Sequence, residues 1–161
     1  RERRLNVKDK ENDIEEMADE LTKELLKANY NKIKDAISEA FSMLDQNEVS
    51  SEESKRKVKE MLMEVERLMS SLAYTGSPAL RNAVLEFCKQ SNDKDRENAI
   101  DDVSTVFEEI VTLRTDPIME RLYSYVQKSG QLRDVYWLVN FAINPMEVAI
   151  TILSDYETVD K

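Results

Sequence analysis

Apolar residues recur every three or four positions along most of this chain, which is the spacing of an amphipathic helix. The first such pattern begins near Asn12, where Asn12 and Glu15 have the spacing of a capping box. It contains two apolar stripes, one over residues 14–28 and the next over 26–44. Because the second stripe is slightly out of phase with the first, the pattern predicts a long helix that bends or breaks near Asn29–Asn31.

A second long helix is predicted after a polar break at residues 45–50. Ser50 and Glu53 repeat the capping-box spacing at its start. The break is short, so residues 12–74 are predicted to form a long helical hairpin. This second helix has the most regular amphipathic pattern in the chain, with apolar residues at Val58, Met61, Leu62, Val65, Leu68, Met69 and Leu72.

Three prolines predict the starts of further helices. Ser77-Pro78, Asp116-Pro117 and Asn144-Pro145 each place a good N-cap residue before a proline, whose fixed φ suits the first helical turn. Gly76 and Gly130 stand where helix C-caps are expected. The remaining helices are therefore predicted at about 78–90, 94–114, 117–129, 132–143 and 145–154.

The least polar stretch, Leu132–Leu153, contains the only tryptophan, Trp137. Apolar side chains occupy nearly every face of its first half, which is typical of a buried helix. Asn144-Pro145 and several charged residues interrupt the stretch, so it is not predicted to span a membrane. The pattern places this stretch at the centre of the fold, with the Trp137 side chain buried.

Composition favours an all-α fold. The chain has 161 residues, 41% of them hydrophobic and 35% charged, but only two glycines and three prolines. So few turn formers disfavour a β sandwich or barrel, and the length suits one buried core. We expect about seven helices, with the N-terminal hairpin packed against a bundle of shorter C-terminal helices. The predicted layout is a basic flexible tail at 1–11, one helical domain at 12–156 and a polar tail at 157–161.

Many catalytic chemistries are excluded by the residues that the chain lacks. It has no histidine, so histidine-based acid–base catalysis and histidine metal sites are excluded. Its one cysteine, Cys88, follows Phe87 on an apolar helix face and is predicted to be a core residue. Glu16 and Asp19 match only half of the paired acidic motifs with which all-helical nucleotide pyrophosphohydrolases bind magnesium, and no ExxE occurs. We therefore predict no enzyme activity, no metal and no cofactor.

The formal net charge of −10 disfavours broad binding to nucleic acid or to an anionic membrane. Two local basic clusters remain as candidates for nucleic-acid contact. They could pair with the acidic first helix across the hairpin, or they could follow a phosphate backbone. Their members are Arg1, Arg3 and Arg4 in the tail, and Lys55, Arg56, Lys57 and Lys59 near the start of the second long helix.

Two functions fit these patterns. The first is a non-catalytic helical protein–protein interaction or assembly subunit of a larger complex. The alternative is a small helical subunit or coat-type protein of a nucleoprotein assembly, which would contact a phosphate backbone through its basic clusters. The apolar stripe of the second long helix is longer than the short helices can cover. Leu21, Leu25 and Leu72 are therefore predicted to contact a protein partner or a second copy of the chain.

A cytoplasmic location is expected for this chain. A single cysteine suits a reducing compartment. The first ten residues are charged and are not followed by the apolar segment of a signal peptide.

Overall fold

The computed structural model of the chain describes residues 7–156, with side chains from residue 11 onward. Within that range the chain is all-α, as predicted, and contains no strand. It has six helices rather than about seven: α1 (Val7–Gln46), α2 (Glu52–Thr75), α3 (Pro78–Cys88), α4 (Asp93–Val126), α5 (Gly130–Ile143) and α6 (Met146–Asp155).

The first helix is continuous, so it does not break near Asn29–Asn31, the site of the predicted bend or break. Leu26, Asn29 and Ile33 are all buried and follow one another at helical spacing. Because α1 packs against α2, α3, α5 and α6, its two apolar stripes are covered by different neighbours. The change of phase therefore reflects a change of packing partner along a single helix.

The start of α1 also differs from the prediction. The helix is already formed at Val7, so Asn12 lies inside it and is not its N-cap. Residues 7–11, which were assigned to the predicted tail at 1–11, form the first turn of α1. Residues 1–6 and 157–161, which include the rest of the two predicted tails, lie outside the described residues.

The fourth helix runs through Pro117, where a new helix was predicted to start. Proline lacks the N–H that would bond the carbonyl of Leu113, a local cost in a helix interior. The buried residues Val111, Thr115 and Ile118 nevertheless continue at helical spacing across the proline. Packing of this stripe against the core outweighs the local cost, which explains why the chain has one helix fewer than predicted.

Helix ends are set by short-range chemistry, and several follow the prediction. Pro78 begins α3, and the Ser77 hydroxyl accepts a hydrogen bond from the Leu80 N–H at 3.2 Å. Gly76 ends α2 with a positive φ of 79°. Ser51, rather than Ser50, caps α2 by accepting from the Ser54 N–H at 3.1 Å.

The other predicted helix ends are shifted by one or more residues. Gly130 is the first residue of α5 and has no positive φ, so it is not a C-cap of α4. Helix α6 begins at Met146, after Pro145, and the Asn144 side chain accepts from the Met146 N–H at 2.9 Å. Only Asn144 and Pro145 separate α5 from α6.

Buried apolar residues from all six helices form one connected core. Its largest fully buried side chains are Phe87 in α3 and Phe107 in α4. The stretch Leu132–Leu153 is therefore not its centre, and the prediction of a buried Trp137 is wrong: that side chain is 53% exposed. Helix α5 packs against α1 and α4, and its other faces remain on the surface. Its buried residues form one stripe: Leu132, Val135, Val139 and Ile143.

Candidate partner-binding site

The basic cluster of α2 is largely engaged in local ion pairs. Lys55 pairs with Glu52 at 3.3 Å, and Arg56 pairs with both Glu53 and Glu60, at 3.8 and 2.6 Å. These partners lie on α2 itself, one turn away. Such exposed pairs add little stability, but each places a carboxylate beside the cation. A phosphate would have to displace these carboxylates.

The other two basic residues of this cluster contact aromatic rings. Lys59 pairs with Asp45 of α1 at 2.5 Å and lies 5.5 Å from the centre of the Phe41 ring. Lys57 lies 5.7 Å from the centre of the Tyr125 ring on α4. The structure thus spreads the four cations over several contacts. The remaining candidates for nucleic-acid contact, Arg1, Arg3 and Arg4, lie outside the described residues.

The predicted partner interface at Leu21, Leu25 and Leu72 is corrected by the structure. Leu21 and Leu25 are 0% exposed and Leu72 is 3% exposed. They belong to the chain's own core, because α1 packs on α3 and α6 as well as on α2. Side chains buried in this way offer no surface to a partner.

A large groove lies instead between α1 and the α5–α6 pair, with a volume of about 970 Å³. One wall is a side of α1 where the buried Ala36 is flanked by the exposed Asp35 and Glu39. The other wall follows α5 and continues past the break at Asn144 into the first turn of α6. The apolar residues that line it are Ala36, Trp137, Leu138, Phe141, Ala142 and Met146.

Two aromatic side chains dominate the α5 wall. Phe141 is 81% exposed and Trp137 is 53% exposed, and they lie four residues apart on the same side of the helix. The Trp137 ring is held in place by edge contacts with Tyr136 and Tyr123, at centroid distances of 5.0 and 6.3 Å. A large apolar ring that is fixed before a ligand arrives loses little conformational entropy on binding.

The polar rim of the groove is mostly acidic. Asp35 and Glu39 line it from α1, and Asp134 and Glu147 line it from α5 and α6. Among the described residues, none of these four carboxylates makes a direct ion pair. Elsewhere on α1, by contrast, acidic side chains do meet cations: Glu15 and Asp19 both pair with Arg81, and Asp45 pairs with Lys59.

Among the described residues that line the groove, only Lys32 is basic, and its ammonium group already has a hydrogen-bond partner. Its ammonium donates a hydrogen bond to the carbonyl oxygen of Asn144 at 2.7 Å. Burial lowers the pKa of Lys32, and the nearby carboxylate of Glu147 only partly offsets that effect. Lys32 therefore ties α1 to the junction of α5 and α6.

The sequence pattern contained a sign of this groove that the prediction missed. Leu132, Val135, Val139 and Ile143 alone supply the three-and-four spacing that a one-sided helix needs. Trp137 and Phe141 lie outside that stripe, so the core-facing side of α5 is complete without them. A helix with apolar residues on nearly every side can be buried all round, or it can have one side for the core and another for a ligand.

Two findings limit the chemistry assigned to the described residues. No group of three or more Cys, Asp or Glu side chains among them is arranged to hold a metal ion. Residues Gly130–Asp155 are long and apolar enough to cross a membrane, judged by length and composition alone. One such segment is weak support for a membrane span, and here Pro145 interrupts the helix.

The chain matches no family model, no curated protein and no solved structure.

Proposed function

We propose that this chain is a non-catalytic helical subunit that binds a protein partner in the groove between α1 and α5–α6. The observation that carries the proposal is the exposed pair Trp137 and Phe141 on the α5 wall. Tryptophan, phenylalanine and methionine are enriched at protein interfaces, and Met146 extends the same wall. A few such anchors near the centre of an interface commonly supply most of the binding free energy.

The nucleoprotein alternative has less support from the geometry. Lys55, Arg56 and Lys59 are each paired with a carboxylate, and Lys57 lies over the Tyr125 ring. A protein that follows a phosphate backbone needs several cations free to replace counterions. We therefore prefer a protein partner to a nucleic acid.

The test compares Phe141→Ala with Leu113→Ala. Both remove a large apolar side chain that is mostly exposed, 81% for Phe141 and 77% for Leu113, but Leu113 lies on α4 away from the groove. Each tagged variant and the unaltered chain would be used to isolate bound proteins from the native source, with quantification by mass spectrometry. We expect one or more partners to be retained by the unaltered chain and by Leu113→Ala but lost with Phe141→Ala.

Circular dichroism would confirm that both variants keep their helix content. Equal recovery of every bound protein with the two variants would contradict the proposal, because the groove would then contribute nothing. A second check is nucleic-acid binding across a salt series. Tight binding with a steep salt dependence, lost when Lys57 and Lys59 are changed to alanine, would favour the alternative instead.

A further inference from the structure

We infer that the occupant of the groove is a basic amphipathic helix of a partner protein, with one apolar side and Lys or Arg on both flanks of that side. This inference rests on the proposed function and adds the chemistry of the partner.

The charge of the groove is the first argument. Asp35 and Glu39 lie one helical turn apart along the α1 wall, and Asp134 and Glu147 lie on the opposite wall. A ligand seated between these walls has carboxylates on both sides. Lys32 offsets only one of these four carboxylates, so the described lining keeps an excess of negative charge. Electrostatic complementarity therefore calls for cations on both flanks of the ligand.

The same charges argue against a second copy of this chain as the occupant. A two-fold contact through the groove would bring the acidic rim of one copy against the acidic rim of the other. Like charges placed together at an interface oppose association, and each chain also has a formal net charge of −10. A basic partner meets no such repulsion.

The shape of the groove is the second argument. Both walls are helices, and residues 7–156 contain no strand whose edge an extended peptide could join. The floor between the walls has small residues at Ala36 and Ala142, which leave room for the side chains of an incoming helix. On the α5 wall the lining runs from Asp134 to Ala142, which is about 12 Å, or two turns of helix. A helix laid in a groove is the recognition mode that fits these dimensions.

The apolar side of that helix would contact Trp137 and Phe141. Because Trp137 is the only tryptophan and is half exposed, its emission reports directly on occupancy of the groove. A ligand that covers the indole ring should shift this emission to shorter wavelength. No label on the protein is needed.

The experiment uses the full chain and two synthetic peptides of about 14 residues. Both peptides have the same leucines along one helical side, and neither has an aromatic residue. All remaining positions are lysine in one peptide and glutamate in the other. We expect the lysine peptide to shift the Trp137 emission in a saturable way, with an affinity that falls as salt is added. We expect the glutamate peptide to produce no shift.

Matched charge variants locate the binding. The double variant Asp35→Asn/Glu39→Gln removes two carboxylates from the groove, and Glu108→Gln/Glu109→Gln removes two from α4, so the net charges of the two variants are equal. We expect the first to weaken lysine-peptide binding about three- to tenfold, and the second to leave it within about twofold of the unaltered chain. Phe141→Ala should weaken it further.

Several outcomes would overturn the inference. Equal binding of both peptides would remove the charge requirement. Equal effects of the two double variants would show that the peptide responds to overall charge and not to the groove. A Phe141-dependent rise in mass with concentration would make a second copy the occupant, and an emission shift with phosphatidylcholine vesicles but with neither peptide would make it a lipid surface.

These failures are distinct from failure of the proposed function. If a native partner is lost with Phe141→Ala while the lysine peptide does not bind, the groove remains a protein-binding site and only the chemistry of the occupant is wrong. If Phe141→Ala and Leu113→Ala recover the same proteins, the proposed function itself is wrong, and the inference is overturned with it.

Discussion

Phe107 and Trp137 are both large aromatic residues in helices with strong apolar patterns, but the structure gives them different environments. Phe107 is 0% exposed between the helices of the core, whereas half of the Trp137 surface is open to solvent. The residue type and the local pattern are similar in the two cases. What differs is whether a neighbouring helix covers that side, and local spacing does not report on this.

Truncation to alanine should separate these two environments. We expect Phe107→Ala to lower the free energy of unfolding by about 3–5 kcal/mol, because it leaves a cavity in a packed core. Trp137→Ala should cost about 1 kcal/mol, mainly from lost contacts with Tyr123 and Tyr136. Urea unfolding followed by circular dichroism measures both, and a loss above about 3 kcal/mol for Trp137→Ala would mean that its ring is buried.

The thiol of Cys88 should make stability depend on pH in the alkaline range. Burial raises the pKa of Cys88 from 9.0 to about 11, so the folded chain keeps this proton where the unfolded chain has lost it. The favourable contribution is complete below pH 9 and disappears as the pH rises towards about 11.

Replacement of the thiol isolates this contribution from that of other groups. The pKa values of Tyr136 and Tyr156 are also raised by burial and act in the same direction. We therefore expect Cys88→Ala to lose less stability than the unaltered chain between about pH 8 and about pH 10, by about 1 kcal/mol or less. Urea unfolding at the two pH values tests this, and identical losses would show that Cys88 is not desolvated.

For the helices, the sequence predicted which segments are helical better than it predicted where each helix begins and ends. The Ser77-Pro78 start and the Gly76 end were correct because both depend on a few adjacent atoms. Continuity through Pro117 and through Asn29–Asn31 was missed because it depends on side chains packed from other helices. A local helix breaker predicts an end only where no long-range packing opposes it.

The two glycines should respond in opposite ways to alanine. Gly76 has φ 79° and ψ −177°, a conformation that is essentially restricted to glycine, so Gly76→Ala should cost about 1–3 kcal/mol. Gly130 is the first residue of α5, and an added Cβ would have only a side-chain nitrogen of Arg133 nearby, at 3.9 Å. Gly130→Ala should therefore stabilise the fold by about 0.4–1 kcal/mol.

Thermal unfolding of the two variants provides the measurement, and each is a control for the other. Both add one methyl group to a helix end. A fall in melting temperature for both would contradict the position of Gly130 inside a helix. No fall for Gly76→Ala would contradict its positive φ.

At the scale of the whole molecule, α1 connects most of the fold. It packs against four of the other five helices described here, and α4 packs against α2, α3, α5 and α6. This arrangement explains why the predicted interface failed: a stripe that looked too long for one hairpin is covered by several helices. The groove was missed for the complementary reason, since the sequence does not show which apolar side chains are left uncovered by neighbouring helices. The acidic rim, by contrast, was visible in the sequence as excess negative charge, without its location.

The central position of α1 predicts cooperative unfolding. Leu25 is fully buried in α1, whereas the fluorescent reporter, Trp137, lies on α5. If one core joins these helices, they unfold together. Loss of packing at Leu25 must then lower the free energy of unfolding by the same amount, whether unfolding is followed by Trp137 emission or by helix content. We expect Leu25→Ala to cost about 2–5 kcal/mol, with coincident urea midpoints for Trp137 emission and for circular dichroism.

The exposed residue Leu113 supplies the control, because Leu113→Ala makes the same chemical change on the surface and should shift both midpoints little. Separate midpoints in Leu25→Ala would mean that α5 and α6 unfold independently of α1. The groove would then lie between two separately folding parts, and a ligand seated in it would stabilise their contact without stabilising either part alone. Coincident midpoints instead require that a ligand of the groove raise the stability of the whole chain, since it binds the folded state alone.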